Sequence, residues 1–363
     1  MNADISNHFI PLHQLIPRVM KKSGILICIF FLVTIHFGNS SCSHQTTNKL
    51  QITTSNVTIN IDTIYVNTYG ILGNSIKIKD KYYTIFRIFD RNSTLNKDKF
   101  IILDTKGKIL HQMDVPEDIK NTYNYSLKIH NDSLIAYIKF YNKMIYFNED
   151  SLKWQNIKTL DLPFYEDKEY IVTVNDMGEF GSTVFFKNKR TGLKYEGFSH
   201  PLVINKYHNQ YYITNYLPHD YGFCSIVKIN DPQQMKVSTK DEKSFDFKNC
   251  SRKGMEKLLD TTGFYIPVSF IHRDKLFHLH SDRNNTYIAT FINKKLTNIF
   301  TLPGYTNITY QQKLPDQSQF ATFVTDNEKI HGFIETTPQA INIRYVITNG
   351  NSGYDYNEES LFF

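Results

Sequence analysis

Short runs of apolar or alternating residues, about four to eight long, recur along the chain after residue 50. Asn, Asp, Gly and Lys separate them, in the way that turns separate β-strands. The segments 57–61, 82–89 and 100–103 are of this kind, and so is 109–115, which stops at Pro116. No segment carries the apolar spacing of a long amphipathic helix. The pattern predicts an all-β protein.

Residue usage favours the same class of fold. Beyond residue 41 the chain has only four alanines, whereas Ile, Tyr, Phe, Thr and Val are common. Alanine is the best helix former, and the others favour strands. Three of the four share a local frame, because each follows Ile or Phe and precedes Tyr or Thr and then an apolar residue. They are Ala136, Ala289 and Ala321; the fourth is Ala340.

Two further patterns indicate an internal repeat. The fragment Asp90 to Thr94, DRNST, returns as Asp282 to Thr286, DRNNT, 192 residues later, which is four periods of 48. Apolar residues also meet proline at Pro116, Pro163 and Pro303, with separations of 47 and 140 residues. Together with the 32 residues between Ala289 and Ala321, these spacings indicate a repeating unit of 32 to 48 residues. Units of several short strands with this length are typical of β-propeller blades.

A β-propeller closes its blades into a ring and leaves few exposed strand edges. Over residues 51–350 the longer period predicts six blades, which we favour, while the shorter period permits seven. The last unit, 320–347, reads as three strands, and the early strand 57–61 could supply a fourth and close the ring. Two or three β-sandwich domains are the rival architecture. They would require linkers, and no Pro-, Gly- or Ser-rich linker is present.

A leader precedes the strands. Lys21 and Lys22 follow Met20, an apolar run covers residues 25–37, and small residues lead to Cys42. This order is that of a secretory signal, and the run of about 13 residues is shorter than the roughly 20 of a membrane-spanning helix. The stretch MKKSGILICIFFLVTIHFGNSSC resembles a bacterial lipoprotein signal, which implies a lipid on Cys42. An ordinary cleaved signal and a short anchor helix are the alternatives.

The chain therefore divides into five parts. Met20 is the expected initiator, because a signal peptide opens with its charges; the alternative is an unusually long charged region at the start of the signal. The parts are an upstream extension (1–19), a signal peptide (20–41), a polar tether (42–50), the β-propeller (51–350) and a C-terminal tail (351–363).

The leader and the architecture together resemble the lipid-anchored β-propeller proteins of Bacteroidetes, many of which are six-bladed. The resemblance implies a cell-envelope lipoprotein of the outer membrane, held there by its N-terminal lipid. The residues that follow Cys42, SHQTTN, include no acid, which favours the periplasmic side over the outer surface.

The net charge excludes one class of partner. Residues 1–41 hold three of the 41 basic and one of the 35 acidic residues, so the remainder has 38 basic and 34 acidic side chains, a net charge of +4. This near balance gives no basic stripe for nucleic acid. We expect no nucleic-acid partner.

The strongest candidate for a metal centre is FHLHSD, residues 277–282. Side chains two apart on a strand point the same way, so His278, His280 and Asp282 could share a face and ligate zinc or iron. The alternative is that Phe277 and Leu279 face a blade interface while the polar side chains are solvated. Because Asp282 opens the repeated DRNNT turn, we predict no metal centre, no cofactor, and a small cost for replacing either histidine.

The segment from Asp90 to Asp98 alternates oxygen-bearing side chains but holds Leu95 and Ile101 where a calcium loop needs Gly and Glu. We interpret it as a turn between blade strands.

Nothing in the sequence identifies a nucleophile. No Gly-x-Ser-x-Gly elbow is present, and carboxylates cannot be paired from sequence alone. Segments 207–212 and 216–221 mix Tyr, His and Asn, as binding loops often do. The candidate binding residues are Tyr207, Tyr211, Tyr216, His219 and Tyr221. The sequence thus favours a lipid-anchored module that binds a protein or glycan without catalysis; the alternative is an envelope enzyme that acts on glycans through acids at the propeller's central face.

Two cysteines, Cys224 and Cys250, remain once Cys28 leaves with the signal and Cys42 is lipidated. An exported protein folds in an oxidising compartment, where such a pair can form a disulfide. Independent burial of the two thiols is the alternative, since the sequence cannot bring their Cα atoms within about 7 Å.

Overall fold

A computed structural model represents the protein. It describes residues 50–53, 57–88, 97–120, 122, 125–138, 141–176, 178, 181–217, 222–239, 251–263, 265–282, 285–292, 294–302, 306–313, 318–325 and 331–349. The side chains of residues 50, 306–313 and 325 lie outside the description.

The described strands form six separate sheets, which confirms the all-β propeller with six blades rather than seven. Blade one contains β3 (Ile71–Ile78), β4 (Lys81–Arg87), β5 (Lys99–Asp104) and β6 (Ile109–Asp114). Blade two contains β7 (Tyr125–His130), β8 (Ser133–Ile138), β9 (Lys143–Asn148) and β10 (Lys153–Ile157). Blade three contains β11 (Tyr165–Glu166), β12 (Tyr170–Asp176), β13 (Ser182–Asn188), β14 (Lys194–Phe198) and β18 (Lys236–Val237).

The other three blades follow the same order. Blade four contains β15 (Pro201–Tyr207), β16 (Gln210–Leu217), β17 (Phe223–Ile229) and β19 (Glu256–Thr262). Blade five contains β20 (Tyr265–His272), β21 (Lys275–Ser281), β22 (Thr286–Ile292) and β23 (Lys295–Leu302). Blade six contains β24 (Thr306–Lys313), β25 (Gln319–Thr325), β26 (His331–Thr336) and β27 (Ile341–Thr348), extended by β2 (Thr58–Val66) and β1 (Leu50–Thr53). The short helices are α1 (Glu117–Lys120) and a 3-10 turn, Pro232–Gln234.

The N-terminal strand closes the ring, but in another way than predicted. Blade six already has four strands from the C-terminal part of the chain, so β2 adds a fifth, and it pairs with β27 in parallel. The reading of the last unit as three strands missed β24. Ile59 of β2 packs in the cluster shared with blade five, whereas Ile64 packs in the cluster shared with blade one.

Each blade has four antiparallel main strands, so its fourth strand ends at the face of the ring where its first strand begins. The next blade then begins at that same face. We call this the upper face; the second strand ends there, the third begins there and the fourth ends there. The opposite end is the lower face. Two-residue turns with positive φ at both positions join the first two strands of blades two, four and five at the lower face: Asn131 and Asp132, His208 and Asn209, Arg273 and Asp274. Such turns match the twist of the paired strands.

The repeats predicted from sequence are partly correct. Residues 282–285 connect the second and third strands of blade five, and the echo at Asp90 to Thr94 falls in the same connection of blade one, although it lies outside the described residues. Ala136 and Ala321 both occupy second strands, four blades apart. Ala289 lies on a third strand instead, so grouping it with them was wrong and produced the irregular 32-residue spacing.

Blade four also reaches back onto blade three. Its third and fourth strands are joined by a long connection, which adds β18 to the outer edge of blade three. There Ser238 Oγ donates to the buried carboxylate of Glu196 at 2.7 Å, and Lys236 lies 2.9 Å from it. A Cβ atom on Gly197 would collide with Met235 and Met255 of this connection. This connection therefore links blade four to blade three.

Candidate functional site

The candidate binding residues that the structure describes lie at two different faces of the ring. Tyr207 ends β15 and Tyr211 lies near the start of β16, so both are at the lower face. Tyr216 lies near the end of β16, at the upper face. His219 and Tyr221 lie outside the described residues, in the connection that follows Tyr216. The prediction that residues 207–212 form a loop was wrong, because they belong to a strand hairpin.

Tyr211 is part of the core, and its ring is 1% exposed. Its hydroxyl donates to Asp167 at 2.6 Å, and Lys206 Nζ lies 3.1 Å from the same carboxylate. Burial raises the pKa of Tyr211. Burial also acts to raise the pKa of Asp167, but hydrogen bonds from Tyr211 and from the backbone outweigh it and leave that pKa lowered. This group fastens blade three to blade four and offers no binding surface.

Tyr207 joins blade four to blade five. Its ring stacks on His208 with centroids 4.0 Å apart, and its hydroxyl donates to the backbone oxygen of Asp274 at 2.9 Å. His208 Nε2 lies 3.0 Å from the Asp274 carboxylate. Lys77 and Glu335 make a similar ion pair between blades one and six. These residues near the lower face are thus engaged with the neighbouring blade.

The upper face of blades four and five has a different chemistry. The rings of Tyr216 and Tyr265 lie 4.4 Å apart, which brings together the end of a second strand and the start of the next blade. Phe223 opens β17 with 44% of its surface exposed. In the sequence, Tyr216 and Phe223 stand on either side of His219 and Tyr221. Aromatic rings present much contact area with few rotatable bonds, which suits them to binding.

Exposed aromatic side chains also lie at the upper face of other blades. Tyr69, just before β3, is 63% exposed, and Tyr141, between β8 and β9, is 56% exposed.

Asp282 builds the turn at the upper end of blade five. Its carboxylate accepts hydrogen bonds from the Asn285 backbone at 2.8 Å and from the Tyr287 hydroxyl at 2.9 Å. The Tyr287 ring stacks on His280 with centroids 5.0 Å apart, and His280 Nε2 lies 2.8 Å from Asn298 Oδ1. The carboxylate is therefore committed to the turn, as the repeat suggested.

A buried polar network continues inward from these residues. Ser269 Oγ lies 2.7 Å from His278 Nδ1 and 2.6 Å from Thr214 Oγ1, so it joins blade five to blade four. Asn205 donates to the Ser269 backbone oxygen at 2.8 Å and accepts from Gln319 of blade six at 3.1 Å. All five side chains are at most 1% exposed. The contact between blades four and six closes this part of the ring's centre to solvent.

The interpretation of His278 and His280 as solvated was wrong. His278 and His280 do share one face of β21, and Phe277 and Leu279 do pack on the other, against blade six. The histidine face, however, meets blade four, so His278 is fully buried. Burial, followed by the neighbouring His280, lowers the pKa of His278 to about 3, which keeps the ring neutral. The serine–histidine pair is enclosed and cannot meet a substrate.

Within the described ranges no three His, Cys, Asp or Glu residues are grouped as ligands for a metal ion. That His278, His280 and Asp282 hold no metal stays a prediction.

Because His278 is buried, its replacement should destabilise the protein more than the sequence predicted. The variant His278→Ala should lower the free energy of unfolding by about 2–4 kcal/mol, because it leaves a cavity and strips Ser269 of its partner. His280→Ala should cost less, since its ring is nearer the surface. Urea denaturation of both variants checks this. Equal costs below about 0.5 kcal/mol, the range of surface substitutions, would contradict the buried position.

Of the cysteines in the predictions, the structure describes only Cys224. Cys224 is 1% exposed on β17, where it packs between blades four and five. Burial raises the pKa of its thiol to about 12, against the opposing effect of a hydrogen bond from the Ile266 backbone. Cys250 and Cys42 lie outside the described residues, so the disulfide and the lipidation stay predictions.

Sequence reasoning missed Tyr265, Phe223 and the Asn205–Ser269–Gln319 contacts. Tyr265 and Phe223 each open a strand directly after a short connection, and this position at a strand start was the available signal. No local pattern connects Asn205 with Gln319, which are 114 residues apart.

No protein-family model matches the sequence, and no curated protein matches it. Solved structures with a distant likeness include a protein from Lactobacillus plantarum, with 12% identity and a TM-score of 0.37, covering 84% of this chain and 96% of that one. The β-propeller domain of the trilobed protease from Pyrococcus furiosus has 10% identity and a TM-score of 0.34, over 75% and 82% of the two chains. Pyrococcus horikoshii acylaminoacyl peptidase has 9% identity and a TM-score of 0.35; the match covers 80% of this chain but only 48% of the peptidase. These values support no inference about function.

Among the described residues, no helix has the length and hydrophobicity needed to cross a membrane.

Proposed function

We propose that the protein is a lipid-anchored binding module of the cell envelope, and that it binds a protein or glycan through the upper face of blades four and five. The observation that carries the proposal is the pair of aromatic rings of Tyr216 and Tyr265, together with the exposed Phe223 at the same end of blade four. His219 and Tyr221 follow Tyr216 closely in the sequence. The lipid on Cys42 and a periplasmic position at the outer membrane are part of the proposal and rest on the leader.

The contrast between the two faces supports this choice. At the lower face, Tyr207 and Tyr211 are engaged with groups of neighbouring blades, as are Lys206 and His208. At the upper face, Phe223 presents nearly half its surface to solvent. Buried aromatic side chains are the residues that most often dominate binding energy at interfaces. The upper face can therefore gain more from a partner than the lower face can.

A pair of matched variants tests the proposal. Phe223→Ser changes an exposed residue that begins the third strand of blade four, at the upper face. Ile292→Ser changes a residue 49% exposed that ends the third strand of blade five, at the lower face. Both should fold with similar stability. The ligands of the full-length protein are first identified on a glycan array and by affinity capture from envelopes, and each binding constant is then measured with both variants.

We expect Phe223→Ser to weaken binding at least about tenfold, the loss that follows from removing one interface anchor worth about 1.4 kcal/mol. Ile292→Ser should change the binding constant by less than about twofold. A binding constant that falls with Ile292→Ser and not with Phe223→Ser would contradict the assignment of the surface. Hydrolysis of a bound glycan would contradict the proposal of a binding module and support the alternative, an envelope enzyme that acts on glycans.

A further inference from the structure

The N-terminal segment joins the propeller at the outer edge of blade six. β1 is the outermost strand of this blade, and its first residue, Leu50, pairs with Ile61 of β2. Residues 42–49, fully extended, reach at most about 29 Å. A lipid on Cys42 would therefore hold this edge of the ring close to a membrane surface.

Two turns of the neighbouring blades contact β2. They are 104–108 of blade one and 273–275 of blade five, and we call them the flanking turns. Arg273 Nη2 donates to Thr58 Oγ1, at the start of β2, at 3.0 Å. A Cβ atom on Gly107 would lie only 3.1 Å from Ile64 Cβ, so the turn of blade one also approaches β2 closely. The flanking turns thus lie on the two sides of the N-terminal strand.

The acids of the flanking turns are engaged within the protein. Asp104 accepts hydrogen bonds from the backbones of Lys106 and Lys108, at 2.8 and 2.9 Å. Asp274 lies 3.0 Å from His208 Nε2 of blade four. The side chains of Lys106 and Lys108, in contrast, are exposed and form no ion pair with a described residue. These ammonium groups are therefore available to an anionic partner.

An excess of positive charge extends over the lower ends of blades five and one. The turns at these ends contain eight basic and three acidic residues, a net charge of +5. The corresponding turns of blades two and three contain five basic and six acidic residues, a net charge of −1. The turns compared are 78–81, 104–109, 272–275 and 292–295 in the first set, and 130–133, 148–153, 166–170 and 188–194 in the second. The basic residues are therefore concentrated on both sides of blade six.

Exposed apolar side chains accompany these basic residues. Leu110, two residues after Lys108, is 37% exposed, and Tyr65 of β2 is 38% exposed. Basic side chains meet lipid phosphates at a membrane surface, while tyrosine and leucine side chains favour the boundary between headgroups and acyl chains. The chemistry around the N-terminal strand is thus that of a surface that lies on a membrane.

We propose that the outer edge of blade six and the flanking turns lie on a membrane that contains anionic lipids, with the basic side chains at the lipid phosphates. The upper face of blades four and five then points away from the membrane and stays open to a partner. The inference rests on the proposed function for the lipid on Cys42, but the contact itself requires only the basic side chains.

Fluorescence quenching in vesicles tests the contact. A fluorescent amino acid is placed at Leu110, beside the flanking turn of blade one, or at Leu193 of blade three as the control; the two leucines are 37% and 49% exposed. The full-length protein is bound to vesicles of phosphatidylcholine, with or without phosphatidylglycerol. Lipids that carry a quencher on the headgroup then report which label lies at the membrane surface.

We expect phosphatidylglycerol to increase quenching at position 110 at least about fivefold over position 193, the factor that one basic residue contributes near an anionic surface. Raising the salt concentration to about 0.5 M should remove the difference, because salt screens exposed charges. Equal quenching at the two positions, or a difference that persists without phosphatidylglycerol, would overturn the proposal.

Two pairs of substitutions separate the flanking turns from basic residues elsewhere. Lys106→Gln with Lys108→Gln should shift the ratio of docked to undocked protein at least about tenfold towards undocked. Lys187→Gln with Arg190→Gln removes the same charge from blade three and should leave the ratio unchanged within about twofold. The same effect from both pairs would also overturn the proposal. A protein without a lipid on Cys42 would contradict the proposed function, yet should show the same contrast between positions 110 and 193.

Discussion

Deleting residues 50–66 should leave the protein unfolded at 25 °C. The deletion removes four buried side chains, Val57, Ile59, Ile64 and Val66, which fill the clusters on both sides of blade six. At about 1.5–3 kcal/mol for each buried aliphatic side chain, the loss is about 6–12 kcal/mol. The total stability of a domain is about 5–15 kcal/mol. Circular dichroism and urea denaturation of the deletion variant measure the result.

A shorter deletion is the control. Removing residues 50–53 takes away β1, whose Gln51 and Thr53 are exposed, and keeps β2 in place. This variant should fold with a modest loss of stability. If the longer deletion folded as well as the shorter one, the four C-terminal strands of blade six would close the ring without β2.

Acidification from pH 7 to pH 5 should lower the free energy of unfolding by about 4 kcal/mol. His278 lies between blades four and five, and His331 lies 1% exposed between blades six and one, where neither of its ring nitrogens is hydrogen-bonded to a residue that the structure describes. Burial lowers the pKa of His278 to about 3 and that of His331 to about 4. In the unfolded chain a histidine has a pKa of about 6.5. The unfolded state therefore binds more protons below that pH, and stability is lost as the pH falls from about 6.5 towards the folded pKa values.

The variant His331→Leu isolates this effect. His331 packs on Phe86, with ring centroids 6.5 Å apart, and the charged groups of the same interface, Lys77, Glu335 and Arg344, are engaged in their own contacts. Replacing this buried polar ring by an apolar side chain should remove about 2 kcal/mol of the loss between pH 7 and pH 5. Urea denaturation of both proteins at several pH values checks this; parallel pH profiles would contradict the neutral, buried state of His331.

The strands were predictable because their alternation is local, and the blade number followed from the total length. The blade boundaries were harder to predict. The connection of blade four that adds β18 to blade three and the short first strand of blade three make the repeats unequal in length. The turns between the first two strands form a clearer repeat, which the sequence pattern did not indicate. The turns at Asn131, His208 and Arg273 share positive φ but no residue type, and they lack the Asn-Gly pair that usually marks such turns.

The candidate site shows a different limit of sequence reasoning. Alternation correctly placed His278 and His280 on one face of a strand, but a polar face was equated with a solvated one. In a propeller both faces of a blade lie against neighbours, so a polar face is buried and must find partners, as His278 does with Ser269. Tyr211 and Tyr216 likewise belong to one strand but to opposite ends of the ring. Only the fold separates a structural tyrosine from one beside the upper face.

Site-specific photo-crosslinking in intact cells tests the binding surface most directly. A photoreactive amino acid is placed at Phe223, at the upper face, or at Ile292, at the lower face, and crosslinked species are identified by mass spectrometry. We predict that position 223 crosslinks to a discrete envelope component, and that position 292 does so at least about tenfold less, the contrast expected from one interface anchor. Crosslinking to such a component from position 292, with none from position 223, would contradict the proposed function.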